Sequence, residues 1–147
     1  HVGQGQLYGK HRDLLGNVAM AFQAFYRDMQ DQWDDMVVVT MTEFGRTSKE
    51  NGSRGTDHAE ATAMFVAGGG VKGGVYNCDK NTWKNGDMFS TNNERYLLRK
   101  TDFRSVFGEI FTDHFGNTQK QLNQVIPTYT AAKKENPKDF KKLGLFA

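Results

Sequence analysis

The first recurring pattern along the chain is amphipathic and lies between Lys10 and Gln30. Apolar side chains recur there every three or four residues, at Leu14, Leu15, Val18, Phe22, Phe25, Tyr26 and Met29. That spacing lines one side of an α-helix, because residues three and four apart are neighbours on its surface. The pattern therefore predicts a helix with one buried side.

Two apolar runs after this helix predict strands. Residues 36–42 read MVVVTMT and are rich in β-branched side chains without alternation, as in a strand covered on both faces. Residues 61–67 read ATAMFVA and end at a triple glycine. A helix followed by a buried strand is typical of an α/β unit, so we predict that 61–67 lies parallel to 36–42 in one sheet, with a right-handed connection.

The second half of the chain predicts a surface excursion, another helix and a tail. Residues 75–100 are rich in Asn, Asp and Gly and show no period, so little regular structure is expected there. Thr101 or Asp102 can cap a helix that ends near Gly116. Its apolar positions are Phe103, Val106, Phe107, Ile110 and Phe111. Beyond Pro127 the chain is lysine-rich, which predicts a basic tail that is either solvated or laid on a partner.

The composition narrows the classes of partner. A length of 147 residues with 37% hydrophobic content suits one domain with a core. The net charge of +2 is too small to favour nucleic acid or an anionic membrane as the main partner. No apolar stretch approaches the roughly 20 residues that span a bilayer, so we expect no transmembrane segment.

The polar loop after the first predicted strand is the candidate functional site. Residues 43–58 read EFGRTSKENGSRGTDH, and loops that leave the carboxyl ends of parallel strands are where ligands bind. Glu43, Asp57 and His58 offer carboxylate and imidazole ligands for a divalent ion such as Zn²⁺. The alternative is that Glu43 caps a loop and that His58 is a hydrogen-bonded turn residue.

Arg46 and the glycines at 68–70 are candidate anion-binding groups. A guanidinium at position 46 can hold a phosphate or sulfate through two parallel hydrogen bonds, whereas the competing interpretation is a salt bridge to Glu43 or Asp57. The triple glycine lacks the spacing of a nucleotide-binding loop, which favours a tight turn. The threonines near the loop have no neighbouring base in sequence, so no catalytic nucleophile is expected in this chain.

Four ordered blocks resemble a large bacterial family known as domain of unknown function 1501. The blocks are EFGRT, NGSRGTDH, FVAGGGVKGG and, at 101–104, TDFR. The opening HVGQ is similar to the end of that family's DTHxxQ-type block. The chain departs from the family at Ala59, since members usually read TDHG and here alanine follows His58.

The resemblance implies a fold and a place in a longer chain. The expected fold is α/β, with part of a mostly parallel sheet flanked by helices, as in alkaline phosphatases and sulfatases. Residues 1–126 would be the carboxy-terminal part of that domain, incomplete in this chain, and residues 127–147 its basic tail. The nucleophile would lie upstream of His1, so the fragment alone is expected to be inactive.

The resemblance also implies site residues. Carried over by motif, the metal ligands would be His1, Glu43 and His58, with Asp57 as a further ligand or as the partner that orients His58. Arg46 would face the substrate anion. The expected cofactor is a divalent metal such as zinc.

The implied function is an exported, metal-dependent phosphatase- or sulfatase-like hydrolase in the periplasm or at the cell surface. Its partners would be the rest of the polypeptide upstream of His1 and a small anionic ester. The alternative is a non-catalytic surface or assembly protein on the same fold. The two differ because an enzyme needs an open coordination position facing a pocket, whereas a structural metal site is closed by protein ligands.

Overall fold

The computed structural model describes residues 10–77, 88–90 and 93–146, and most of its regular structure is helical. The α-helices are α1 Lys10–Asp28, α2 Phe103–Glu109, α3 Gln119–Val125 and α4 Tyr129–Glu135. Two 3₁₀ helices span Gln30–Asp35 and Pro137–Phe140, and one π-helical turn, Ile110–His114, continues α2. In these described ranges no helix is long and apolar enough to cross a bilayer.

In the part of the chain that the structure describes, four two-residue strands form two separate antiparallel pairs. The strands are β1 Val38–Val39, β2 Gly45–Arg46, β3 His58–Ala59 and β4 Val66–Ala67. In the first pair, β1 lies against β4, with Val38 opposite Ala67 and Val39 opposite Val66. In the second, β2 lies against β3.

The predicted mostly parallel sheet flanked by helices is wrong. The runs 36–42 and 61–67 do meet, but they pair antiparallel and only over two residues each. A parallel pair needs a long crossover that returns the chain to the same end of the sheet. Here the chain between β1 and β4 folds back as the β2–β3 hairpin, so it re-enters in the opposite direction.

Among the described residues, two small hydrophobic clusters hold the second half of the chain together. The first contains Leu122, Tyr129, Ala132 and Phe140. The second contains Val106, Ile110 and Leu145, and the partly buried Val39 and Val66 of the β1–β4 pair pack against it. The valines of the short strands are therefore covered on one side by α2 and by the last residues of the chain.

The predicted helix after Asp102 is confirmed. The side chain of Asp102 accepts a hydrogen bond from the backbone N–H of Arg104 at 2.9 Å, which is the N-cap interaction expected of an aspartate. Hydrogen bonds from the Arg104 guanidinium to the same carboxylate keep the pKa of Asp102 below its ordinary value. Gly116, with φ +69, follows the end of the π-helical turn.

The lysine-rich end of the chain packs on α2. Glu109, itself buried, accepts backbone hydrogen bonds from Leu143 at 2.8 Å and from Leu145 at 2.5 Å. Leu145 is buried, and the carbonyl of Leu145 accepts from the backbone N–H of Lys72 at 2.7 Å. The apolar residues of this segment thus contribute to the core, while its lysines stay at the surface.

The predicted first helix is confirmed as α1, but its apolar side is not covered. Within the described residues none of its 19 residues is buried. Tyr26 meets Trp33 of the following 3₁₀ helix edge to face, with 4.9 Å between ring centroids. That contact lies at one end of α1, so most of the apolar stripe faces outward.

Candidate functional site

The β2–β3 hairpin brings Arg46 and His58 directly opposite each other. The register pairs Gly45 with Ala59 and Arg46 with His58. Side chains that are directly opposite in an antiparallel pair have Cβ atoms about 4.5–5.5 Å apart and lie on the same face. The hairpin therefore places a guanidinium and an imidazole side by side, with His58 exposed and Arg46 half-buried.

Gly45 allows the backbone of residues 60 and 61 to pass close to β2. A Cβ atom at this position would lie 1.8 Å from the carbonyl oxygen of Ala61 and 2.9 Å from that of Glu60. Both obstacles are backbone atoms, so they cannot rotate away as a side chain could. The glycine in EFGRT is thus required by the close approach of residues 60 and 61.

Phe44 forms an aromatic platform beside His58 and Arg46. The Phe44 and His58 rings are stacked, with centroids 4.0 Å apart and planes 27° apart. The guanidinium carbon of Arg46 lies 5.7 Å from the centroid of the Phe44 ring, within the range of a cation–π contact. One apolar ring therefore fixes the orientation of the two polar side chains.

Asn51 organises the loop that joins β2 to β3. Its side-chain oxygen accepts from the backbone N–H groups of Ser53 and Gly55, each at 3.0 Å. Its amide nitrogen donates to Asp57 Oδ1 at 2.9 Å. The loop is thereby closed onto Asp57, the residue next to His58.

Residues 94 and 95 dock onto the same loop. Arg95 forms a salt bridge with Asp57 Oδ2, and the backbone N–H of Ser48 donates to the carbonyl of Arg95 at 3.0 Å. The hydrogen bond from Asn51, helped by the positive charge of Arg95, holds the pKa of Asp57 below its ordinary value. Asp57 is therefore ionised at neutral pH and links two parts of the chain that are distant in sequence.

The predicted metal ligands are not assembled into a complete site by the described residues. These residues contain no group of three or more His, Cys, Asp and Glu side chains placed to hold a metal ion. Glu43 is exposed, and it has no hydrogen-bond or ion-pair partner in the described part of the chain. Asp57 uses one oxygen for Asn51 and the other for Arg95. His1 lies outside the described residues.

Arg46 does not form the salt bridge considered from the sequence. Asp57 is paired with Arg95, and Arg46 Nη1 donates to the carbonyl oxygen of Thr56 at 2.8 Å. A guanidinium has five N–H donors, and the other donors of Arg46 meet no acceptor among the described residues. By the register of the hairpin, the Arg46 side chain leaves its strand on the same face as that of His58.

The triple glycine forms a turn packed against the end of the first 3₁₀ helix. A Cβ atom on Gly68 would lie 2.1 Å from the carbonyl oxygen of Met36. The backbone N–H of Gly69 donates to the carbonyl of Trp33 at 2.9 Å, and that of Val71 donates to Gly68 at 3.1 Å. Both N–H groups donate to backbone carbonyls of this chain, as expected of a tight turn.

The sequence did not predict the roles of three residues of the site, Phe44, Asn51 and Arg95. Phe44 was part of the EFGRT block, but nothing in the sequence pairs it with His58. Asn51 precedes Gly52 and Ser53, a turn-forming combination that could have suggested its role. Arg95 gave no signal, because it reaches Asp57 across a sequence separation of 38 residues.

A cavity of about 280 Å³ lies elsewhere, beside α2, and three of its charged side chains, Glu109, Asp113 and Lys142, are engaged with each other or with the backbone. Lys142 Nζ lies 2.9 Å from Asp113 Oδ2, and this contact lowers the pKa of Asp113 and raises that of Lys142. Burial raises the pKa of Tyr129. Glu109 accepts backbone hydrogen bonds there. This cavity contains none of the residues predicted from the sequence.

Comparison with known proteins identifies the family. The sequence model of the family described as "Protein of unknown function (DUF1501)" matches residues 3–126. The chain belongs to the DUF1501 family, as the four sequence blocks predicted. Searches among curated proteins and among solved structures gave no significant match.

Proposed function

We propose that the β2–β3 hairpin is the substrate-binding part of a metal-dependent hydrolase that acts on a phosphate or sulfate ester. The observation that supports this most strongly is the register of the hairpin, which sets Arg46 opposite His58 on an exposed edge. The proposal concerns the site and not the phosphatase-like sheet, which the described residues do not form.

Arg46 is proposed to hold the anionic group of the substrate. Its contact with Thr56 fixes one nitrogen of the guanidinium, and the Phe44 ring supports the planar group from one side. The N–H groups that remain can form the parallel hydrogen bonds by which arginine binds phosphate or sulfate. His58, on the same face, adds a second polar group at the anion.

We also propose that the site binds a divalent metal, although the structure describes only some of the residues that would be its ligands. Glu43 and His58 are of the right chemical types for a divalent ion such as zinc, whose catalytic sites take three protein ligands. Two side chains do not suffice, so the proposal requires further ligands, with His1 the one predicted from the sequence. Such an ion would supply an activated water or hydroxyl. Asp57 is proposed to position His58 by anchoring the loop.

The partner and the location are proposals that rest on the family resemblance. We propose that segments upstream of His1 supply the nucleophile and the missing ligands, and that the protein is exported to the periplasm or the cell surface. Cell fractionation with an antibody against this chain would test the location.

Exchange of Arg46 for glutamine is expected to weaken binding of inorganic phosphate or sulfate about ten- to a hundredfold. The reason is that a hydrogen bond to a charged group contributes about 1.5–3 kcal/mol, and about 1.4 kcal/mol corresponds to a factor of ten. The measurement is an NMR titration of the chain with each anion, following the signals of residues 44–47 and 58.

Arg54 provides the matched control. It is an exposed arginine in the same loop, so Arg54→Gln removes the same charge without touching the β2–β3 pair. Equal weakening by both substitutions would show that the anion responds only to net charge, and the proposed site would then be incorrect.

A non-catalytic assembly role is the second candidate. The observation that favours it is the uncovered apolar stripe of α1, since contiguous exposed apolar surface marks an interaction site. The two functions are compatible, because the stripe and the hairpin are formed by different residues.

A further inference from the structure

Helix α1 presents an apolar stripe that nothing in the described residues buries. Leu15 is 51% exposed, Val18 47% and Phe25 40%, although all three lie on the side of the helix that the sequence pattern predicts to be covered. Exposed apolar side chains in one continuous row have a cost in water, which is removed when a matching surface covers them. We therefore expect another protein surface to cover the stripe.

The stripe has the seven-residue repeat of a helix that pairs with another helix. With the repeat lettered a to g, Leu15 and Phe22 occupy a positions, and Val18 and Phe25 occupy d positions. Met29 continues the a series just after the helix ends. Leu14 and Tyr26 lie beside this row at g and e positions and are also exposed, so the whole apolar side is wider than the a/d row. Along the a/d row itself, the repeat favours side-by-side packing with another helix.

We propose that α1 pairs with α1 of a second copy of this chain, antiparallel and about a two-fold axis. The repeat is symmetric about residue 20, so reversal of the helix sets Leu15 opposite Phe25 of the second copy and Val18 opposite Phe22 of the second copy. The same surface then serves both copies, as a two-fold interface requires. Ala19 and Ala21 flank the centre, where small side chains permit close approach.

The charges at the two ends of α1 select the antiparallel arrangement. The helix begins with Lys10, His11 and Arg12, and Asp28 and Asp31 lie at or just beyond its end. An antiparallel pair places the basic end of one copy beside the acidic end of the other, and it also opposes the helix dipoles. A parallel pair would bring like charges together.

Substitution of Val18 by aspartate is expected to abolish the dimer without unfolding the chain, because Val18 is half exposed in the single chain. Met20→Asp is the matched control, since Met20 is 61% exposed and occupies an outer f position. Sedimentation over a hundredfold range of concentration should give twice the mass of one chain for the wild type and for Met20→Asp. Val18→Asp should sediment as a monomer.

The orientation has its own test in a Cys78→Ser background. A mixture of Leu15→Cys and Phe25→Cys chains should form the mixed disulfide in preference to either symmetric one. A monomeric wild type would overturn the proposal, and so would equal loss of the dimer in both aspartate variants. It would also be overturned if the natural polypeptide were monomeric and Val18→Asp lowered its melting temperature, since another segment would then cover the stripe.

Discussion

Replacement of Gly45 by alanine is expected to break the β2–β3 hairpin and, with it, the placement of Arg46 opposite His58. The new methyl group would lie 1.8 Å from the carbonyl oxygen of Ala61, a distance that no backbone adjustment of a few tenths of an ångström relieves. Overpacking of this kind typically costs about 1–3 kcal/mol, and more where the obstacle is backbone. The measurements are the free energy of unfolding by denaturant and the backbone contacts of residues 45 and 59 by NMR.

Gly52 is the matched control for this substitution. It lies in the same loop, and a Cβ atom there would meet nothing within 4 Å. Gly52→Ala should therefore leave stability unchanged or raise it by about 0.4–1 kcal/mol, because alanine restricts the unfolded chain. An unaltered hairpin in Gly45→Ala would mean that residues 60 and 61 do not pass close to β2, and the described site would be wrong.

Replacement of Glu109 by alanine is expected to release the last residues of the chain from α2. The backbone N–H groups of Leu143 and Leu145 would both lose their acceptor, and a buried group without a partner, here the N–H of Leu145, costs about 1–3 kcal/mol. We expect the free energy of unfolding to fall by about 1–3 kcal/mol. Hydrogen exchange at these two amides should accelerate together.

Glu135→Ala serves as the control, since Glu135 is an exposed glutamate at the end of α4. It should change stability by no more than about 0.5 kcal/mol. Unchanged protection of the Leu143 and Leu145 amides in Glu109→Ala would contradict the assignment of Glu109 as their acceptor.

Helices α1 and α2 were predictable because their signals are local, whereas α3 and α4 were not predicted from the sequence. The recurrence of apolar residues from Leu14 to Met29 defines α1 without reference to the rest of the chain, and Asp102 marks the start of α2 by a hydrogen bond two residues away. The burial of α1 was not predictable in the same way. A pattern shows which side of a helix is apolar, but not which molecule covers it.

The sheet was not predictable because its direction depends on the chain between the strands. The run of valines at 37–39 fits a strand in either direction, and only the hairpin between β1 and β4 makes the pair antiparallel. The packing of the lysine-rich end was unpredictable for a related reason. Its charge left open a solvated tail or a segment laid on a partner, and only the fold shows that Tyr129, Phe140 and Leu145 pack into the two hydrophobic clusters of this chain.

The residues of the candidate site could be named from the sequence, but their contacts could not. The register that sets Arg46 opposite His58 follows from the pairing of β2 with β3 and was not predicted. The sequence could not show that Asp57 is engaged by Asn51 and Arg95, because the salt bridge depends on how a distant segment docks. The identity of a residue suggests its chemistry, whereas its partners follow from the fold.

The metal content of the natural polypeptide tests the central claim most directly. Elemental analysis should find a divalent metal in the wild type and in His11→Gln, a control on the exposed surface of α1. His58→Gln should lose that metal, because the hairpin imidazole is proposed to be one of its ligands. Equal metal content in all three proteins, or none in the wild type, would contradict the account.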